Sequence, residues 1–128
     1  MSGTSSVQPR KVPVVLDTDI GSDIDDTWAL VMMLRSPELD LRLITTASGD
    51  TIYRARLAAR LLETAGRTDI PIGIGVSRSD APSSQADWLG DYSLSDYPGT
   101  VYEDGVRALV GTIMTSPEPI TVVGIGPL

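Results

Sequence analysis

Apolar residues along the chain change period several times, from unbroken β-branched runs to helical spacing and back. Val12 to Leu16 is a short apolar run that suits a strand buried on both faces. The Asp/Gly/Ser-rich stretch Asp17 to Ile24 breaks it. A helix is predicted from about Asp25 to Arg35, with Trp28, Leu30, Val31, Met32 and Leu34 supplying apolar surface and Met32 and Met33 read as core filler. Asp25 and Asp26 suit the positive end of its dipole, and Ser36-Pro37 ends it. Leu39 to Thr45 is a second strand, and Ala47 to Asp50 a loop. Thr51 is expected to cap a helix from about Ile52 to Ala65, with Gly66 at its C-terminal cap. Ile70 to Ile74 is a third strand. Gly75 to Thr100 has no period, and a loop this long inside a compact domain is often functional, such as a lid. Val101 to Thr115 returns to helical spacing, and Ile120 to Gly124 is a fourth strand.

Strands alternating with helices predict an α/β fold. The expected form is a parallel, Rossmann-like sheet of about four βα units with helices on both faces. Ligands of such sheets bind beyond the carboxyl ends of the strands. Asp17, Asp50, Gly75 and Ile125 each follow a predicted strand, so they are expected to gather on one rim.

Composition narrows the chemistry. The 128 residues carry a net charge of −7, which argues against nucleic acid as a partner and mildly favours a cation site. There is no cysteine and no histidine, so thiolate chemistry, zinc–thiolate sites and a histidine base are excluded. Oxygen ligands and hard cations are left. Met1 to Lys11 is small and polar, unlike a signal peptide, and is expected to be a disordered tail preceding a domain over 12–128. No apolar stretch reaches the length of a membrane span. A cytoplasmic protein with no membrane partner is the expectation.

The informative segment is Asp17-Thr18-Asp19-Ile20-Gly21-Ser22-Asp23-Ile24-Asp25-Asp26. Five carboxylates crowded at the end of a buried strand repel one another unless a cation joins them. Ca²⁺ or Mg²⁺ is the natural counter-charge for oxygen ligands alone. The plainer reading is a solvated acidic turn capping the next helix. A helix-loop-helix calcium site fails on spacing: counted from Asp17, its glycine and glutamate positions hold Ser22 and Trp28.

Val14 to Leu30 resembles the amino-terminal signature of the inosine-uridine-type nucleoside hydrolases, a strand followed by Asp-x-Asp-x-Gly and a pair of Asp. The resemblance continues through Ile44 to Asp50, Ala65 to Gly73, and Val122-Val123-Gly124-Ile125-Gly126-Pro127-Leu128. It implies hydrolysis of a ribonucleoside to base and ribose by a Ca²⁺-bound water. Carried over position by position, Asp19 would ligate Ca²⁺ and act as general base. Asp26 and the main-chain carbonyl of Ile125 would be further ligands, and Asp17 would support the metal from behind. Asp25 would bind the ribose hydroxyls, with Asp23 competing for that role, and Asp50 would lie near ribose and metal. A homo-oligomer of the full-length protein is also implied.

Two departures stand out. The family runs Gly-x-Asp-Asp, whereas this chain has Gly21-Ser22-Asp23-Ile24-Asp25-Asp26, two residues longer. Family members are also much longer, and their late half supplies another ligating Asp, ribose contacts and often a leaving-group His. The chain is therefore expected to be an amino-terminal portion of such a domain. Rival readings are an inactive fragment or pseudo-enzyme keeping part of a Ca²⁺ site, and a Mg²⁺-dependent haloacid-dehalogenase-type phosphatase, which Gly21 at its Thr/Val position disfavours. Trp88, Tyr92 and Tyr97 are read as pinning the long loop rather than stacking on a base. Arg54, Arg56 and Arg60 are read as a solvated helix face.

Overall fold

The computed structural model describes residues 11–78 and 85–127. The expected tail therefore lies, apart from Lys11, outside the described residues, as does the middle of the long loop. Five strands form one parallel sheet in the order β4-β3-β2-β1-β5. They are β1 (Val12–Thr18), β2 (Leu39–Thr46), β3 (Ile72–Gly73), β4 (Val101–Tyr102) and β5 (Thr121–Gly124). The principal helices are α1 (Asp25–Leu34), α2 (Thr51–Thr64), α3 (Ala86–Leu89) and α4 (Gly105–Thr115).

The parallel α/β expectation holds, with one strand more. Apolar spacing alone assigns Val101 and Tyr102 to the helix that follows. They instead pair with Ile72 and Gly73 as β4, and Asp104 caps α4 by accepting a hydrogen bond from the Arg107 amide at 3.1 Å. Asp17 and Thr18 also belong to β1 and do not break it, because both continue its ladder with Thr45 and Thr46 of β2. The third strand is only two residues long. Asp50, not Thr51, caps α2: its Oδ1 accepts from the Tyr53 amide at 3.0 Å. Gly66 has the positive φ, 72°, of a C-terminal cap.

Alternate residues of β1 and β2 serve two faces. Val14, Leu16, Leu41 and Ile44 pack with Leu30 of α1 and Ala55, Ala58, Ala59 and Leu62 of α2. A bulge leaves Arg42 without a β1 partner, between Leu41 opposite Val14 and Leu43 opposite Val15. Both α2 and α4 pack against β2 and β3. Two helices cannot cover the same strands on one side, so they occupy opposite faces. The approach of α4 is close: a Cβ on Gly73 would lie 2.9 Å from the Gly105 Cα. Helix α4 is thinly packed and exposes Val106, Val110, Ile113 and Met114. In α1, Trp28 and Met32 are each 66% exposed, so Met32 is not core filler, whereas Leu30 is fully buried and Met33 packs against the core.

The chain leaves β1 toward β2 on one side, and β5 returns on the other. That change of direction opens a crevice at the carboxyl end of β1, where sheets of this kind place their ligands.

Two glycines separate steric from conformational constraint. A Cβ on Gly75 would stand 1.8 Å from the Thr46 carbonyl oxygen, whereas Gly66 has open space and only its positive φ to maintain. Gly75→Ala is expected to lower unfolding free energy by about 3 kcal/mol and Gly66→Ala by about 1 kcal/mol, read by urea denaturation. Equal losses would show that the backbone at Gly75 relaxes freely.

Candidate active site

The acidic run does not splay into solvent as a plain turn. Asp26, in the first turn of α1, is buried, and its Oδ2 accepts from the Thr18 hydroxyl at 2.6 Å and the Asp19 amide at 3.2 Å. Thr18 Oγ1 in turn accepts from the Ile20 amide at 3.1 Å. This local net draws the start of α1 onto the end of β1 and brings the Asp26 carboxylate within hydrogen-bond reach of the Asp19 side chain.

The electrostatic result is a strained pair. The Asp19 carboxyl is pushed up from 3.8 to about 6. Partial burial is the largest cause, followed by the hydrogen bond to Asp26 in the protonated form and the repulsion of its charge; Arg54 opposes these from the other side. A second positive charge at this point would relieve the pair.

Other residues of the expected site surround it unevenly. Asp17 faces β2, accepting from the Thr45 hydroxyl at 2.7 Å, and its carbonyl accepts from the Ile125 amide at 2.9 Å. It lines a cleft of about 430 Å³ with Thr46, Ala47, Ser48, Gly75, Arg78 and Pro127. Ile125 leads into Gly126, where a Cβ would lie 3.4 Å from the Asp19 amide nitrogen and 3.6 Å from the Ala47 Cβ. The end of β5 thus stands directly against Asp19. Asp23 and Asp25 are exposed on the loop and at the start of α1. Asp50 stands at the rim, with one carboxylate oxygen engaged in capping α2. Among the described residues no three carboxylates converge closely enough to hold a metal ion by themselves. The donor set is oxygen only, two carboxylates with an adjoining backbone, and it fits a hard cation with vacancies for other oxygen ligands.

Two residues that hold this loop were not foreseen. Arg54 is 6% exposed, so it does not belong to a solvated face. Its Nε donates to the Ser48 carbonyl at 2.7 Å. Its Nη1 donates to the carbonyls of Asp19 (2.7 Å) and Ile20 (3.1 Å) and to the Ser22 hydroxyl (2.9 Å). Tyr53 is buried beneath Gly21: its hydroxyl donates to the Gly21 carbonyl at 2.8 Å and accepts from the Gln85 amide at 3.2 Å. Helical spacing carried a signal, since Arg54 falls on the stripe Thr51, Ala55, Ala58, Leu62 that the sheet buries.

Arg56 and Arg60 also differ from the solvated-face reading, donating to carbonyls of the long loop. Arg56 Nε reaches the Tyr92 carbonyl at 2.8 Å, and Arg60 Nη1 reaches those of Trp88 and Leu89, with its guanidinium over the Trp88 ring. Tyr97 is buried and donates to the Ile70 carbonyl at 2.6 Å. Tyr92 donates to Glu63 at 2.6 Å, an acceptor that with burial pushes its phenol upward. These aromatics pin the loop to its own domain.

A parallel α/β sheet with paired carboxylates at the end of β1, where the strand order reverses, is an arrangement that binds small ligands at the rim. The chain belongs to the inosine-uridine preferring nucleoside hydrolase family, whose profile matches residues 14–128. It is 38% identical to a probable uridine nucleosidase 2 of Arabidopsis thaliana over 90% of this chain and 39% of that protein. It is 35% identical to the non-specific ribonucleoside hydrolase RihC of Escherichia coli over 92% of this chain and 41% of that protein. A solved plant nucleoside hydrolase, the PpNRh1 enzyme, superposes with a TM-score of 0.69 at 30% identity, covering 94% of this chain and 40% of that one. The chain therefore spans about two-fifths of the length of these relatives. The family match displaces the phosphatase alternative. Among the described residues no helix is long and apolar enough to cross a membrane.

The raised Asp19 carboxyl sets a pH dependence for the metal-free chain. With the folded-state value near 6 and the ordinary value at 3.8, the native state holds the extra proton between them. The contribution is fully present below 3.8 and is lost as pH rises through about 6. Asp19→Asn is expected to gain stability relative to the parent chain as pH increases across that window in EDTA, followed by thermal melts. A constant difference between the two at all pH values would refute the strained pair.

Proposed function

We propose that this chain carries the Asp19–Asp26 half of a ribonucleoside hydrolase site, cleaving the N-glycosidic bond of purine or pyrimidine ribonucleosides to free base and ribose. The observation that carries the reading is the pairing of Asp19 with a buried Asp26 at the switch point, against the end of β5. Asp19 and Asp26 would hold Ca²⁺, with the Ile125 carbonyl as a backbone donor and Asp17 behind. The ion, when bound, supplies the positive charge that neutralises the pair and acidifies a coordinated water.

The chain's own groups then divide the work. An Asp19 carboxylate oxygen takes the proton of the attacking water. The water oxygen adds to the anomeric carbon as the bond to the base nitrogen breaks, and the departing base takes up a proton from solvent. The transition state resembles a ribosyl oxocarbenium ion, whose developing positive charge the carboxylates stabilise. Asp25, exposed at the start of α1, would accept hydrogen bonds from ribose hydroxyls, with Asp23 as the alternative, and Asp50 would lie near ribose and metal. Action on free ribonucleosides in the cytoplasm, by a homo-oligomer of the whole protein, is part of the same reading.

A second reading, a partial calcium site without turnover, is favoured by one observation. Only two carboxylates are in hydrogen-bond reach of each other at the expected metal position, and no third joins them among the described residues. Both readings require cation binding. Calorimetric titration with Ca²⁺ is expected to show one site that Asp19→Ala or Asp26→Ala removes. No heat from the parent chain would sink both. Reducing-sugar release from inosine and uridine, with Ca²⁺ and then excess EDTA, separates them. Where turnover is present, Asp19→Ala is expected to lower kcat about 10²- to 10⁴-fold, the usual worth of a general base. Substantial turnover in that variant would reject the assignment of the base.

A further inference from the structure

We propose that Arg54 is the positioning residue of the acidic loop, fixing its backbone so that the Asp19 side chain is held in one orientation toward Asp26. The proposal rests on the reading of Asp19 given above, and it adds a residue that acts through Asp19 without touching substrate.

Burying a guanidinium is expensive unless its donors are matched. Arg54 meets that demand with four acceptors from the loops after β1 and β2: the carbonyls of Ser48, Asp19 and Ile20, and the Ser22 hydroxyl. Its neighbour Tyr53 takes the next carbonyl, that of Gly21. Three successive carbonyls, from Asp19 to Gly21, are thus tied to the first turn of α2. Fixing the carbonyls on one side of a short segment fixes the direction in which its side chains leave. The Asp19 amide, held on the other side by Asp26, completes the constraint.

A simple packing role would not need this arrangement. Gly21 has φ 110° and lies against the Tyr53 ring, so the loop is already threaded by shape. What Arg54 adds is a planar fork whose two nitrogens reach separate loops, a geometry that a lysine ammonium cannot reproduce although it keeps the charge. Charge and geometry can therefore be separated by one substitution.

The test uses Arg54→Lys, with Ser22→Ala as a milder variant in case the first does not fold, and Arg56→Lys as a control on the same helix. In the metal-free chain, side-chain coupling constants are expected to report one χ1 rotamer for Asp19 and averaging in Arg54→Lys, with partial averaging in Ser22→Ala. An unchanged Asp19 rotamer in folded Arg54→Lys would overturn the proposal, whatever happened to thermal stability. Ca²⁺ affinity, read below the onset of melting, is expected to fall at least about tenfold, the usual range for groups that orient a metal ligand. Arg56→Lys is expected to leave both the Asp19 rotamer and Ca²⁺ affinity unchanged. An equal affinity loss in Arg56→Lys would also overturn the proposal, because the effect would then not run through the loop carbonyls that Arg54 holds. Absence of Ca²⁺ binding by the parent chain would count against the proposed function, while the rotamer measurement would still decide the role of Arg54.

Discussion

Two carboxylates held against each other require the surrounding structure to hold them there. Asp26 is drawn onto the end of β1 by the Thr18 hydroxyl and the Asp19 amide, and this places it where its charge opposes that of Asp19. Left to itself, a loop with these residues would separate them and hydrate both. Separation is prevented because Asp26 begins a helix whose Leu30 is locked in the core, while Asp19 continues a strand whose Val15 and Leu16 are fully buried. Sheet and helix packing thus maintain an unfavourable contact at the rim. Perturbed carboxyls of this kind mark functional positions more often than chance.

The sheet order explains why the contact falls where it does. Because β1 has β2 on one side and β5 on the other, the backbone at its carboxyl end is approached from both flanks. The β2 side brings Ala47 and Ser48; the β5 side brings Ile125 and Gly126, whose lack of a side chain leaves room for the Asp19 backbone. Under the acidic loop, α2 supplies Tyr53 and Arg54. β2, β5 and α2, which hold the loop, all belong to the parallel core, and Gln85 of the long loop adds a contact to the Asp23 carbonyl.

Much of this was legible in the sequence, for physical reasons. The β-branched run before Asp17 and the helical spacing after Asp25 are consequences of burial, and burial decided both elements. The ordered set of acidic and glycine-rich segments carried the family. What sequence did not convey were features with short or mixed signals. The strand Val101–Tyr102 exists because β3 offers it a partner, a non-local cause that no local period records. Asp50 rather than Thr51 caps α2 because its side chain reaches the Tyr53 amide, a choice between two adjacent capping residues that residue type alone does not decide. The charge of Arg54 suggests a solvated face, but its place on the buried stripe of α2 prevails once its donors find loop carbonyls. Asp23 and Asp25 are both exposed, so the order of the segment alone could not choose between them.

The pairing of β1 with β5 has a bearing on biogenesis. Val14 meets Thr121, so the first strand and the last are joined across nearly the whole described sequence. Contacts so distant along the chain form late, since the closure entropy of the intervening loop must be met first. During synthesis the acidic loop, β2 and α2 emerge well before Gly126, and Asp19 would have no β5 backbone beside it in that interval. The nascent chain would therefore pass through a stage with its carboxylates gathered but one wall of the crevice absent. A cation meeting the chain at that stage would find fewer groups beside Asp19 than one meeting it after β5 has paired with β1.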